Sequence, residues 1–194
     1  MQPRRSNPER AEATRTALLQ AARRLFIEKG YAETSTPEIV VAAQVTRGAL
    51  YHHFADKRDL FRAVLEREAK AVADEIEKVA APDKRPREAL VAGSLAYLDA
   101  MSVPGRTRLL LIDGPAVLGS MGIASIDEAH AARSLSEGLE AVLGPEPNAF
   151  SIQAMTTLLS AAFDRAALAI EAGADPAEFK AAMICLVERV VASA

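Results

Sequence analysis

The stretch from Ser35 to Lys57, STPEIVVAAQVTRGALYHHFADK, constrains the fold more than any other part of this chain. It predicts two short helices joined by a tight turn, then the start of a third. Thr36 or Ser35 supplies an N-cap oxygen, and Pro37 suits a first helical turn, where its missing N–H costs nothing. Ile39, Val40 and Ala43 form the inward stripe of the first helix. Gln44-Val45 is the turn. Thr46 caps the second helix, Arg47 to Phe54. Leu50 and Phe54, four apart, share one face and anchor this helix to a core. Arg47, Gly48, Tyr51 and His52 then point outward. An apolar back with an Arg/Gly/Tyr/His front is the pattern of a helix that enters the major groove of DNA.

Charge distribution agrees with that reading although the total does not. The 194 residues carry a formal net charge of −3, which by itself argues against nucleic acid. Residues 1–62, however, hold 11 Lys+Arg against 7 Asp+Glu, and the remainder 12 against 19. A basic head on an acidic body is the expectation. The single cysteine, Cys185, excludes an intrachain disulfide and a CxxC metal motif, and between Ile184 and Leu186 it reads as a small buried apolar residue. His52 and His53 diverge by about 100° on a helix and cannot share an ion, and His130 is remote, so no metal is expected. No paired nucleophile and base or Gly-rich phosphate loop appears, so neither an enzyme nor a cofactor is expected. The N-terminus lacks an apolar h-region and no apolar run approaches 18 residues, which predicts a cytoplasmic chain without a membrane span.

Periodicity places helices along the whole chain. Residues 1–9, with Pro3, Arg4, Arg5 and Pro8, read as a basic arm. A helix runs from about Glu9 to Lys29 on the stripe Leu18, Ala21, Ala22, Leu25 and Phe26, and Gly30 ends it. Asp56 caps a long helix through Leu60, Phe61, Val64, Leu65, Ala69, Val72, Ile76 and Val79 to Pro82. It has no internal Gly or Pro, so it is expected to move as a rigid rod. Further helices are expected over Arg87–Met101 and Arg106–Ile112, with a break at Gly114-Pro115 and a brief continuation over Ala116–Leu118. Ile126–Leu143, Ala149–Ala172 and a helix capped by Asp175 and reaching Val191 complete the chain. No strand alternation persists. The expected fold is all-α, about nine helices: a helix-turn-helix head over residues 1–62 joined by the long helix to a helical body over residues 63–194.

The pattern TxxxI…V-T-R-G-A-L-Y-x-H-F-x-x-K-x-x-L, with Leu25-Phe26-x-x-x-Gly30-Tyr31-x-x-Thr34 before it, resembles the DNA-binding domain of the tetracycline-repressor (TetR) family. The resemblance spans roughly residues 12–65, and the helix order also resembles that family's fold. One position departs: Gln44 stands where the family commonly has Gly, favoured for a positive φ, at a cost of about 1 kcal/mol. The resemblance implies DNA contacts from Thr36, Thr46, Arg47, Gly48, Tyr51, His53 and Lys57. Their chemistry agrees. Arg47 suits guanine O6 and N7, Gly48 admits close backbone approach, and hydroxyl or ring N–H groups suit phosphates. Lys57, at a helix N-terminus, suits a phosphate as well, and Tyr51 is equally readable as half-buried core.

The resemblance further implies an effector pocket in the body for a small, mostly apolar molecule. Tyr97, Asp113, His130 and Arg133 are polar groups among apolar neighbours, and Met101, Met121 and Met155 offer adaptable lining. Each also reads as a satisfied core or rim residue, which is the commoner role of such side chains. A ligand near Tyr97, Met101, Asp113 or His130 would push on the long helix. The last two helices carry stripes at spacings of three and four. The resemblance implies that Met155, Leu159, Ala162, Phe163, Phe179, Met183, Leu186 and Val190 pair with a second copy, although a stripe can also close the protomer's own core. The expected function is a homodimeric, ligand-responsive repressor binding a palindromic double-stranded operator. The alternative is a helical protein–protein adaptor that uses the helix-turn-helix only as structure.

Overall fold

Three α-helices form the head of the chain. In the computed structural model, which describes residues 7–80, 84–144 and 150–192, these are α1 (Asn7–Glu33), α2 (Thr36–Ala42) and α3 (Arg47–His53). The arginines of the basic arm, Pro82, and Pro145, Pro147 and Ala149 lie outside the described residues. α1 breaks at Gly30, whose φ of 83° is where the sequence ends the helix. Ser35, not Thr36, caps α2: its hydroxyl accepts from the Glu38 N–H while the Glu38 carboxylate accepts from the Ser35 N–H, a reciprocal capping box. Thr46 caps α3 by accepting from the Ala49 N–H at 3.2 Å. Leu18, Ala22, Phe26, Ile39, Leu50 and Phe54 close the core between these helices.

The turn between α2 and α3 puts a non-glycine residue in left-handed backbone. Gln44 has φ of 55°, as its place in the motif implied. The turn keeps its backbone bonds, Gln44 N–H to Val41 C=O and Val45 N–H to Val40 C=O, both 3.1 Å.

Helix α4 (Lys57–Val79) belongs to head and body alike. Asp56 caps it, and its buried face runs from Leu60 and Phe61 to Val72 and Ile76. The hydrophobic core is continuous along this face, so the boundary expected near residue 62 falls inside one packed helix. The body follows as α5 (Pro86–Met101), α6 (Arg106–Arg108), a π-helical turn (Leu109–Asp113), α7 (Gly114–Leu118), α8 (Ser120–Glu128), α9 (Ala131–Leu143), α10 (Ile152–Glu171) and α11 (Pro176–Ala192).

Two expectations about the body are corrected. Gly114-Pro115 does not break the chain. The wider π turn lets the Gly114 N–H reach Leu109 C=O, and Pro115 then sits in the first turn of α7, where no N–H is needed. A Cβ at Gly114 would meet Ile123 Cδ1 at 2.9 Å and Leu109 O at 3.0 Å, so close packing demands glycine there. The helix expected over Ile126–Leu143 is two helices. The chain turns at His130, with φ −131° and ψ −102°, and α8 begins already at Ser120, earlier than its apolar periodicity indicates.

A buried ion-pair network ties these parts together. Glu68 on α4 is 5% exposed. Its carboxylate accepts from Arg23 of α1 through Nε at 2.8 Å and Nη2 at 3.0 Å, and from Arg106 Nε at 3.0 Å. Arg106 also donates to Ala100 C=O at 2.7 Å, and Arg23 to Pro104 C=O at 3.3 Å. Burial opposes ionisation of Glu68, but hydrogen bonds from the two guanidinium groups outweigh it and hold the carboxyl below its ordinary range.

Two outcomes are expected. Gln44→Gly should raise stability by about 0.5–1 kcal/mol, less than the full relief of strain because glycine also gains freedom in the unfolded chain. A thermal melt should show Tm higher by about 2 °C, with Gln44→Ala giving no gain. Glu68→Gln should cost about 3 kcal/mol, because Arg106 stays buried without its counter-ion. A lowered folded pKa means that this contribution is present above the ordinary carboxylate range, about 4.3, and is lost as pH falls through the lower folded value. Chemical denaturation across pH should therefore show a constant gap between parent and variant at neutral pH that shrinks in acid.

Candidate nucleic-acid interface and internal cavity

The exposed front of α3 gathers most of the residues expected to meet DNA. Thr46, Arg47, Gly48, Tyr51 and His52 are exposed, and Thr36 and His53 are half-buried beside them. The Arg47 guanidinium carbon lies 5.5 Å from the Tyr51 ring centroid. Hydrogen bonding to Thr36 and then to Arg47 lowers the Tyr51 hydroxyl's pKa, so one side chain from α2 and two from α3 form a connected polar surface. Tyr51 is 44% exposed, which settles it on the surface rather than in the core. The glycine at 48 has no internal cause. A Cβ there would meet only Thr46 Oγ1, at 3.9 Å, and its φ is not positive.

Lys57 is placed differently from the other six. Its ammonium points back to the end of α1, donating to Tyr31 C=O at 2.9 Å, Thr34 C=O at 3.0 Å and Ala32 C=O at 3.5 Å. It also sits 4.3 Å from the Tyr31 ring centroid. A cation at carbonyls left open by a helix end is a C-terminal cap, and here it locks α4 to the head. Arg58 makes a second strut, donating to Val117 C=O and Leu118 C=O at the end of α7, both at 3.3 Å. Positions one and two of α4 thus bind the head and the body.

In the body, α4, α5, the π turn, α8, α9 and α10 line a half-open cavity of about 520 Å³, with Glu128, Gln153, Thr157 and Ala161 exposed at its mouth. Ala69, Val72, Met101, Leu110, Leu111, Ile123 and Ile126 give it an apolar wall. Its polar side is built from Tyr97, Asp127, Glu128, Gln153, Thr156, Thr157, Ser160 and Asp164. Tyr97 donates to Asp164 at 2.5 Å and Ser160 to Asp127 at 3.2 Å. Burial pushes the Asp164 carboxyl up to about 6, against the Tyr97 hydrogen bond and with help from the neighbouring Asp127 charge. Burial also raises Asp127, opposed by Ser160, the Ala132 N–H and His130.

Of the four residues expected at an effector site, Tyr97 and Met101 line this cavity, and Asp113 and His130 do not. Asp113 turns toward Arg108, its Oδ2 3.4 Å from Nε, because the π turn rotates it away from the cavity. His130 is used in the bend between α8 and α9, where its N–H donates to Asp127 C=O. Met121 is 86% exposed, Met155 is half-buried outside the cavity lining, and Arg133 lies on the surface near Glu77 and Glu137. The acids at 127 and 164 were not anticipated. A signal existed: Thr156, Ser160 and Asp164 are four apart on one helix and therefore share one face.

The residues expected to pair with a second copy divide by burial. Leu159, Phe163 and Met183 are 2%, 4% and 6% exposed, within the protomer's own core. Met155, Ala162, Phe179 and Val190 are half-buried, and Leu186 is 41% exposed. The outward face carries Leu158 at 66% exposure, with Ala161, Ala182 and Cys185 also exposed. Cys185 is therefore a surface thiol rather than a buried one.

Among the described residues no helix is long and apolar enough to cross a membrane, and no group of His, Cys, Asp and Glu side chains is placed to hold a metal.

Comparison with known proteins agrees with both halves. Among curated proteins, the head is 47% identical over 64 residues to the transcriptional repressor BepR of Brucella suis and 48% identical over 62 residues to the regulator AcrR of Shigella flexneri. These matches cover 33% and 32% of this chain, and span only 30% and 29% of those relatives' lengths. A TetR-family regulator from Pectobacterium atrosepticum, whose crystal structure is known, is 30% identical over 95% of this chain and 94% of its own, with a TM-score of 0.69. RolR in complex with resorcinol shares the fold, with a TM-score of 0.65 at 19% identity over 93% of this chain and 90% of its own. Residues 18–64 match the family described as bacterial regulatory proteins, tetR family, and residues 87–193 match the tetracyclin repressor-like C-terminal domain. Because that second match alone covers more than half of its residues, the chain belongs to the TetR family of transcriptional regulators.

Proposed function

We propose that this regulator is a ligand-responsive repressor that binds a palindromic operator as a homodimer, with residues 1–62 as the DNA-binding head and residues 63–194 as the effector-binding and pairing body. The observation that carries the DNA reading is Gly48. A glycine in a helix costs stability, and nothing inside this protein needs one at that place. Space left on the exposed front of α3 suits the close approach of a DNA strand. Arg47 is assigned to a base edge. Thr36, Thr46, Tyr51 and His53 are assigned to phosphates, and Lys57 joins them by exchanging a carbonyl partner for a phosphate oxygen.

The switch reading rests on what the cavity touches. Ala69 and Val72 of α4 line it and flank Glu68, while Leu110, Leu111 and Pro115 connect it to the π turn and α7. Through Arg23, Lys57 and Arg58, α4 is fixed to the head and to α7. A ligand that favours one placement of α4 then favours one placement of the recognition helix, and linkage makes operator weaken ligand by the same factor. The pairing surface is the outward face of α10 and α11, with Leu158, Ala161, Ala182, Cys185 and Leu186. Copies joined there present two recognition helices at the spacing of about one DNA turn, 34–36 Å.

Two experiments test these readings. On promoter DNA beside its own gene, gel shift should give saturable, salt-sensitive, sequence-dependent binding. Gly48→Ala should weaken that binding while raising stability by about 0.5 kcal/mol, and Arg47→Ala should lose about 1–3 kcal/mol and flatten preference at one position per half-site. Unchanged operator affinity in Gly48→Ala would remove Gly48 from the contact, and absence of sequence-dependent binding by the parent chain would return the helix-turn-helix to a purely structural role, as in an adaptor. For assembly, Leu158→Glu with Leu186→Glu should halve the mass seen by light scattering and abolish operator binding, each charge costing about 2–4 kcal/mol at the centre of an interface. Cross-linking of Cys185 across copies by a bismaleimide should disappear in the same variant.

A further inference from the structure

The geometry points to an organic cation with an apolar body as the molecule that the half-open cavity of the body takes, its positive charge set between Asp127 and Asp164. This deepens the effector reading and rests on it. The cavity places both acids on its polar side, with Glu128 beside them, and no Lys, Arg or His side chain lines it. The hydrogen bonds these carboxylates receive, from Tyr97 and Ser160, come from neutral hydroxyls. Of the basic side chains, His130 acts on Asp127 and none acts on Asp164, so two half-buried carboxylates here are unfavourable, and a ligand cation lowers that cost. Elsewhere the buried acid Glu68 has two arginines. The contrast is therefore particular to the cavity.

A second observation points to an occupant. Thr156 is 4% exposed and lines the cavity one and two helical turns before Ser160 and Asp164, yet its Oγ1 has no hydrogen-bond partner. A buried hydroxyl is normally satisfied. Aligned with Ser160 and Asp164 on one face of α10, it offers a polar contact that a bound molecule can use. Opposite this face stand Val72, Met101, Leu110 and Ile126, an apolar wall that suits a ring system and not a metal ion or a hydrated amine. An anion is disfavoured by the same acids that attract a cation. A neutral phenol can bond to Thr156 but leaves both carboxylates without a counter-charge.

The test uses the full chain and three probes that share one bicyclic body: (2-naphthylmethyl)trimethylammonium, 2-naphthalenemethanol and 2-naphthoate. Titration calorimetry at pH 7.5 should rank the ammonium at least tenfold tighter than the alcohol, with no binding of the carboxylate. Asp127→Asn and Asp164→Asn should each weaken the ammonium about tenfold and leave the alcohol within twofold. Asparagine keeps the shape and still accepts the Tyr97 or Ser160 hydroxyl, so the fold is retained.

Acid gives an independent readout, because the quaternary ammonium itself does not titrate. Asp164 with a pKa of about 6 takes up a proton as pH falls, in a setting that includes Tyr97, Asp127, Glu128 and, acting on Asp127, His130. Ammonium affinity should fall roughly fourfold between pH 7.5 and 5.5, and this dependence should lessen in Asp164→Asn. Equal or tighter binding of the alcohol, failure of all three probes to bind, or an ammonium affinity indifferent to both substitutions would each overturn the inference. Operator release is scored separately by gel shift. An ammonium that binds through the two acids without releasing operator sustains the ligand class and overturns the switch, whereas release by the alcohol as strongly as by the ammonium sustains the switch and overturns the ligand class.

Discussion

Glu68 and its two arginines hold the arrangement on which every functional feature depends. The carboxylate sits mid-way along α4, takes Arg23 from the first helix and Arg106 from the segment after α5, and is nearly inaccessible to water. A charge in such a position is tolerable only when its partners are in place, so the network is satisfied in one relative placement of head and body. Apolar packing along α4 supplies most of the adhesion. The ion pairs add the angular definition.

From that fixed point, α4 connects two surfaces with different chemistry. Its first turn reaches the head through Lys57 and the end of α7 through Arg58. Its middle presents Ala69 and Val72 to the cavity. The cavity wall on the far side belongs to α8, α9 and α10, and the tight packing of the π turn against Ile123 leaves little room for a local response. An occupant that alters the cavity therefore acts on whole helices. Under the proposed function, the adjustable quantity is where the exposed front of α3 is held.

Much of the head was legible in the sequence, because its signals are local. The Ser35/Glu38 box, the Thr46 and Asp56 caps, the stop at Gly30 and the left-handed backbone at Gln44 are each settled within a few residues. The outward set on α3 follows from 3.6-residue periodicity once Leu50 and Phe54 are turned inward. The body was legible as helices but less so in detail. Gly114-Pro115 looks like a break until a π turn absorbs it, and the bend at His130 has neither Gly nor Pro to announce it. On α10 and α11, an apolar stripe wide enough for two faces does not say which face meets the core, and Leu159, Phe163 and Met183 proved to be inside.

By itself the sequence determined the helical class, the helix-turn-helix and the identity of the residues on its front, since these depend on spacing, capping and turn chemistry along neighbouring residues. Only the tertiary structure decided which distant groups meet. Arg23 and Glu68 are 45 residues apart, Arg106 and Glu68 38, and Tyr97 and Asp164 67. No periodicity encodes such pairings. They arise when helices pack, and burial then decides which charges must be matched and which, like Asp127 and Asp164, face a cavity that no Lys, Arg or His side chain lines.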